Sequence, residues 1–271
     1  MKKVIFVLLC LLGSFSSISI YAQGDLYVTP SRVILEGRNQ KAILSVANTG
    51  KETATYSISF VERRMNEDGS FTSIEIPDSG APFAAPYLRI YPRQVTLGPN
   101  EGQSVVLQVR RSTTMADGEY RSHLYFRSEK DYVALGEDVK DSIASVSVKL
   151  IPIFGISIPI IVRSGNVIST ATLSNLAINL KNQKKEITFT INREGNGSVY
   201  GDLKVEYIQP NKKPVEVGAV NGVAVYTNIN KRKMTIDLSA NLGLKISKGV
   251  LKVSYLERDT QIPIAEAEIS L

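Results

Sequence analysis

The chain has 271 residues, 43% hydrophobic and 21% charged, with a formal net charge of +6. Its 32 Lys and Arg are interspersed with 26 Asp and Glu, so there is no concentrated basic stripe of the kind that marks a nucleic-acid binder. One Cys and one His leave no intrachain disulfide and no multi-histidine metal site, and a lone His123 without placed partners makes no catalytic triad.

The N-terminus has the three parts of a secretory signal. Lys2 and Lys3 precede an apolar run over residues 4–12, and a serine-containing stretch leads to Ile20-Tyr21-Ala22-Gln23. This predicts a signal peptide over residues 1–22, cleaved after Ala22. The apolar run is too short to span a bilayer. Cys10 has Leu9 before it, where lipid attachment needs a small residue, so it belongs to the discarded segment. No later segment reads as a transmembrane helix: the apolar stretch at 150–162 is short and contains Pro152 and Pro159.

Beyond residue 23 the sequence predicts strand after strand. Val28 and Val33-Ile34-Leu35 lie in an extended opening segment. Ala42-Ile43-Leu44-Ser45-Val46 is rich in strand formers, and Asn48-Thr49-Gly50 supplies a turn. Tyr56-Ser57-Ile58-Ser59-Phe60 alternates with period two. Asn66-Glu67-Asp68-Gly69-Ser70 reads as a second turn, with a return strand over residues 71–76. Residues 105–109 and 123–126 are further strands. Asp117-Gly118-Glu119-Tyr120, just ahead of the latter, fits a corner in which the tyrosine hydroxyl bonds back to the main chain. The second half repeats the style at residues 186–191, 203–207, 222–226, 234–238 and 250–255. Short strands punctuated by Gly, Asn and Asp turns, without a long helical period, predict an all-β protein of two sandwich domains. The expected divisions are residues 23–163 and 164–271, with the boundary at Ser164-Gly165-Asn166.

Residues 145–163 form the most unusual segment. The even positions Val146, Val148, Leu150, Phe154, Ile156, Ile158, Ile160 and Val162 are all hydrophobic, broken only by Pro152. Ser145, Ser147 and Lys149 make the opposite face polar in the first half. Period two over this length means one very long strand, or two joined near Pro152 or Gly155. At a sheet edge, its early half would offer open backbone groups and alternate apolar side chains, the requirements for adding a strand to a partner's sheet.

Several motifs, in order, resemble those of the periplasmic pilus-assembly chaperones. Val28-Thr29-Pro30-Ser31-Arg32-Val33-Ile34-Leu35-Glu36-Gly37 is similar to their opening strand, and Ala47-Asn48-Thr49-Gly50 to the turn after their second strand. Leu88-Arg89-Ile90-Tyr91-Pro92-Arg93, followed by Leu97-Gly98-Pro99-Asn100-Glu101, looks like their mid-domain segment. Ile156-Ser157-Ile158-Pro159-Ile160-Ile161-Val162-Arg163 resembles the end of their long last strand. A weaker likeness continues through residues 193–202. The resemblance implies a boomerang of two immunoglobulin-like β-sandwich domains in the periplasm. It implies that Val146, Val148, Leu150, Pro152 and Phe154 are lent to an incomplete pilin or fimbrial subunit. It also implies that Arg32 grips the subunit's C-terminal carboxylate, a task suited to a guanidinium fork. The second cleft cation of the family, a lysine, falls on Pro159, so Lys149 or Arg163 would have to compensate. Subunits, an outer-membrane usher and a self-capped homodimer are the implied partners, with no cofactor, metal or enzymatic activity. The alternative is a structural or adhesive surface protein built from the same sandwiches.

Overall fold

The computed structural model describes residues 26–110, 115–129, 154–181, 184–238, 246 and 248–271. The first eleven strands are β1 (Leu26–Thr29), β2 (Val33–Leu35), β3 (Lys41–Asn48), β4 (Ala54–Val61), β5 (Arg63–Met65), β6 (Phe71–Ser73), β7 (Leu88–Tyr91), β8 (Gln94–Leu97), β9 (Gly102–Val109), β10 (Gly118–Ser128) and β11 (Gly155–Ser164). Seven more follow: β12 (Ser169–Lys181), β13 (Lys184–Gly195), β14 (Val199–Ile208), β15 (Val215–Val225), β16 (Lys231–Asp237), β17 (Val250–Glu257) and β18 (Pro263–Ser270). Among the described residues the only helical element is a 3₁₀ turn at Ala85–Tyr87.

Strands β1 to β11 build the first immunoglobulin-like sandwich. One sheet has the order β1-β3-β9-β7 and the other β2-β11-β10-β4-β8. Alternation decides which side chains meet between them. Leu44, Val46, Val105 and Leu107 from the first sheet pack against Val33, Leu35, Ile58, Leu124, Phe126, Ile158, Ile160 and Val162 from the second. Asn48 anchors the turn at the end of β3. Its fully buried amide donates to the carbonyls of Glu52 (2.7 Å) and Leu97 (3.0 Å), and its Oδ1 accepts from the Gly50 N–H (2.9 Å). The tyrosine corner is present: Tyr120 donates to the Ala116 carbonyl at 3.2 Å.

The second sandwich packs the sheet β12-β13-β16 on the sheet β15-β14-β17-β18. Ile187, Phe189, Ile191 and Ile236 from one meet Leu203, Val205, Val253 and Tyr255 from the other. Gly165, in the connection between β11 and β12, has φ +64, and a Cβ there would run into the Asp117 carboxylate. That carboxylate accepts from the Asn166 N–H, so glycine is needed on both counts.

A third, small cluster joins the two units. Met65, Ile161, Ala224 and Tyr226 are all buried together, with Ile34 and Tyr200 packed on them. The short β5–β6 hairpin of the first sandwich supplies Met65 to it. This cluster explains why period two fails near the end of β11. Ile158, Ile160 and Val162 face the first core, while Ile161 faces the second sandwich and is equally inaccessible.

Candidate functional site

Two features of β11 bear on the segment singled out in the sequence. The strand pairs antiparallel with β10 along its whole length, Gly155 opposite Arg127 through Ser164 opposite Gly118. Its other side is covered only by β2, which runs parallel and pairs just with residues 160–162. Among the described residues, no strand pairs with residues 155–159 on that side. The first half of β11 is therefore a sheet edge, with backbone groups directed outward. Phe154 lies immediately upstream, 42% exposed, its carbonyl accepting from the Ser128 N–H at 3.0 Å. Val146, Val148, Lys149, Leu150 and Pro152 lie outside the described residues.

The outer face of the β2-β11-β10 sheet looks toward the second sandwich, and it carries Arg32, Arg163, Glu119, Arg121 and His123. In β11, Pro159 stands opposite His123 of β10. Pro159 lies one residue before the Ile160–Val33 pair, and Arg32 one residue before Val33. The expected cleft arginine and the proline in the expected lysine position thus each immediately precede the β2–β11 pairing.

Arg32 reaches across the seam. Its Nη1 donates to the Tyr226 hydroxyl at 3.1 Å and its Nη2 to the Ser198 Oγ at 3.3 Å. Its guanidinium lies 4.3 Å from the Tyr200 ring centroid and 5.4 Å from that of Tyr226. Glu119, whose side chain is completely inaccessible, links the next group. One of its oxygens accepts from the Ser198 N–H (3.0 Å), the Ser198 hydroxyl (2.9 Å) and the Arg163 Nε–H (3.2 Å). Arg163 also pairs with Glu36 at 3.2 Å. Arg32 and Arg163, read separately from the sequence, thus belong to one network through Ser198 and Glu119.

Arg121 also lies over the Tyr226 ring, its guanidinium 4.0 Å from the centroid. It donates to the Arg63 carbonyl (2.9 Å) and to Asn228 Oδ1 (3.0 Å). Burial pushes its pKa down, with the Arg32 charge adding to the effect and Tyr226, Glu119 and Glu62 opposing it. Tyr226, Glu119 and Arg121 carried no functional signal in the sequence, and Ser198 and Tyr200 stood only within the weaker likeness over residues 193–202. Their role depends on pairings between two domains, and no local pattern encodes that.

His123 is buried beneath the Phe71 ring, which meets it edge-on at 5.5 Å. Its Nδ1 has no hydrogen-bond partner among the described residues. Burial, reinforced by Arg121 and Arg63, lowers its pKa to about 3. The folded protein therefore keeps His123 neutral at pH values where the unfolded chain, with a pKa near ~6.5, takes up a proton. Stability must fall as pH drops through that window, by about 1.4 kcal/mol per unit. Glu62, raised by burial against the opposing Ser122 hydrogen bond and Arg121 charge, works in the opposite sense. Comparison with His123→Asn isolates the histidine. Between pH 6.5 and 5 the wild type should lose about 2 kcal/mol more than the variant in urea denaturation. Equal slopes would show that His123 is not held neutral.

Among the described residues no group of three or more His, Cys, Asp or Glu could hold a metal ion, and no helix is long and apolar enough to cross a membrane. No protein-family model matches the chain, and no curated protein matches it. Solved structures do show a likeness. The class 5 fimbriae chaperone CfaA shares 14% identity, covering 90% of this chain and 98% of that one, with a TM-score of 0.45. The Pseudomonas aeruginosa CupB2 chaperone shares 11% over 90% and 98%, TM-score 0.44. A Salmonella enterica complex of the SafA pilin with the SafB chaperone gives 13% over 92% and 97%, TM-score 0.41.

Proposed function

We propose that this protein is an exported chaperone for pilus or fimbrial subunits, which it stabilises by adding a strand of its own to their incomplete sheet. In this reading residues 1–22 direct export and are removed, and residues 23–163 form the client-binding domain. Residues 164–271 form the second domain, and the place of work is the periplasm. The observation that carries the reading is the edge in β11: among the described residues, 155–159 are paired on one side only, and the alternating apolar residues run into this edge from upstream. An open ladder supplies main-chain affinity, and alternate side chains supply specificity. Val146, Val148, Leu150, Pro152 and Phe154 are the proposed contacts. Pro152 has no N–H, so one bond of that ladder would be missing. An outer-membrane usher would receive the loaded complex, and a homodimer capping its own edges would be the client-free form.

Leu150→Asp tests the reading directly. A carboxylate set into an apolar groove costs about 3 kcal/mol or more, roughly a hundredfold in affinity. Subunits should co-purify with the wild type from periplasm and be lost with the variant. Equal recovery with both would rule out strand donation at this site. A structural or adhesive surface protein, the alternative, would instead be found within surface fibres.

A further inference from the structure

We infer that Arg32 is an internal fastener between the two sandwiches, the central rung of a cation–aromatic stack that makes them a single rigid unit. The stack alternates. Arg258 lies 5.9 Å from the Tyr200 ring centroid, Arg32 lies 4.3 Å from that of Tyr200 and 5.4 Å from that of Tyr226, and Arg121 lies 4.0 Å from that of Tyr226. Arg32 and Arg121 come from the first sandwich; Tyr200, Tyr226 and Arg258 come from the second. Every step from Tyr200 to Arg121 therefore crosses the seam.

A guanidinium suits the central position. Its charge lies over the Tyr200 ring while its N–H groups donate to Tyr226 and Ser198. With both Nη groups so engaged, and the Nε buried with no hydrogen-bond partner among the described residues, Arg32 presents no open fork to an incoming carboxylate. Its hydrogen bonds are also continuous with the buried Glu119 through the Ser198 hydroxyl.

The β5–β6 hairpin closes the seam from the other side. The Glu67 carbonyl accepts from the Lys233 N–H at 2.7 Å, as in a strand pairing, and the two side chains form an ion pair at 3.0 Å. Asn228 donates to the Met65 carbonyl at 2.8 Å. Interfaces between domains of one chain commonly permit relative motion. Here backbone bonds, a buried carboxylate and a stacked ladder act together against it.

The inference concerns the protein alone and is tested without a client, so its failure is separate from failure of the strand-donation reading. The full mature chain is compared with Arg32→Lys and Tyr200→Leu by scanning calorimetry and by ¹⁵N relaxation. Tyr200 is only half-buried, which guards against loss of folding. Arg32→Lys keeps the charge, so a site that merely attracts an anion would survive it, whereas a stacked fork would not. The wild type should show one cooperative transition and one tumbling time for both domains. Each variant should split the transition in two, and its tumbling times should fall toward that of a single domain. A single transition with unchanged tumbling in both variants would overturn the fastener role.

Discussion

Arg193→Met should destabilise the second sandwich by about 3–5 kcal/mol, the sum of several charge-assisted hydrogen bonds lost and buried carbonyls left without donors. Arg193 lies on β13 with only 4% of its surface exposed. Its Nε donates to the Ile229 carbonyl at 3.1 Å, and its Nη1 to those of Gly195 (2.7 Å) and Gly197 (2.9 Å). Its Nη2 reaches the Thr227 carbonyl (3.4 Å) and Asn230 Oδ1 (2.9 Å). One guanidinium thus ties two loops to the strand between them. Burial presses its pKa down, yet the surrounding carbonyl dipoles suit a cation and would suit nothing apolar. Methionine matches the length and supplies no donors, leaving those carbonyls without partners. The change is read as a shift of the urea midpoint at constant slope. Lysine, with three donors on a point charge, should recover only part of the loss. A methionine variant within 1 kcal/mol of wild type would show that water replaces the guanidinium adequately.

Glu119→Ala should produce a loss of similar size, about 3–5 kcal/mol, for a different reason. Here the carboxylate is the removed partner, and the groups left stranded belong to both domains. The Ser198 N–H and hydroxyl lose their acceptor, and Arg163 keeps only its exposed contact with Glu36. Glu119→Gln retains one oxygen for those donors and should cost about 1–2 kcal/mol. A cycle with Ser198→Ala measures the cross-domain share directly. A coupling of about 1 kcal/mol or more is expected, and strict additivity would mean that the seam does not depend on this pair.

The sequence revealed those elements whose alternation reports burial on one face. Strands β3, β4, β9, β13, β14, β16 and β17 coincide with the runs read from the residues. The return strand expected over 71–76 shortens to β6. Strand β12 was missed because a bulge between Ser174 and Ala177, with Asn175 at φ +55, interrupts its register. Strand β18 was missed because it is an edge strand, exposed at alternate positions and opened by a proline. The candidate site was legible only in part, for a related reason. On β10, Glu119, Arg121 and His123 alternate with core residues and so read as a solvent face. They are buried all the same, Glu119 and Arg121 against the second domain and His123 beneath Phe71 of the β5–β6 hairpin. Periodicity tells which face is polar and is silent about what lies on top of it. Arg32 stood out through its motif, whereas Tyr200 and Tyr226 are ordinary strand tyrosines until the domains meet.

The parallel pairing of β2 with β11 constrains how the chain can be made. Among the described residues Val33 finds its sheet partner only in Ile160, so one of the first strands to leave the ribosome waits for the last strand of its own domain. Until then the β1-β3-β9-β7 sheet can assemble, but its core remains uncovered along the β2 side. Such distant pairings close slowly, since chain entropy is lost before the contact is gained. During synthesis this delays completion of the first sandwich until residue 162 has emerged. The same lag leaves the apolar core face beside β2 open to neighbouring chains until β11 arrives.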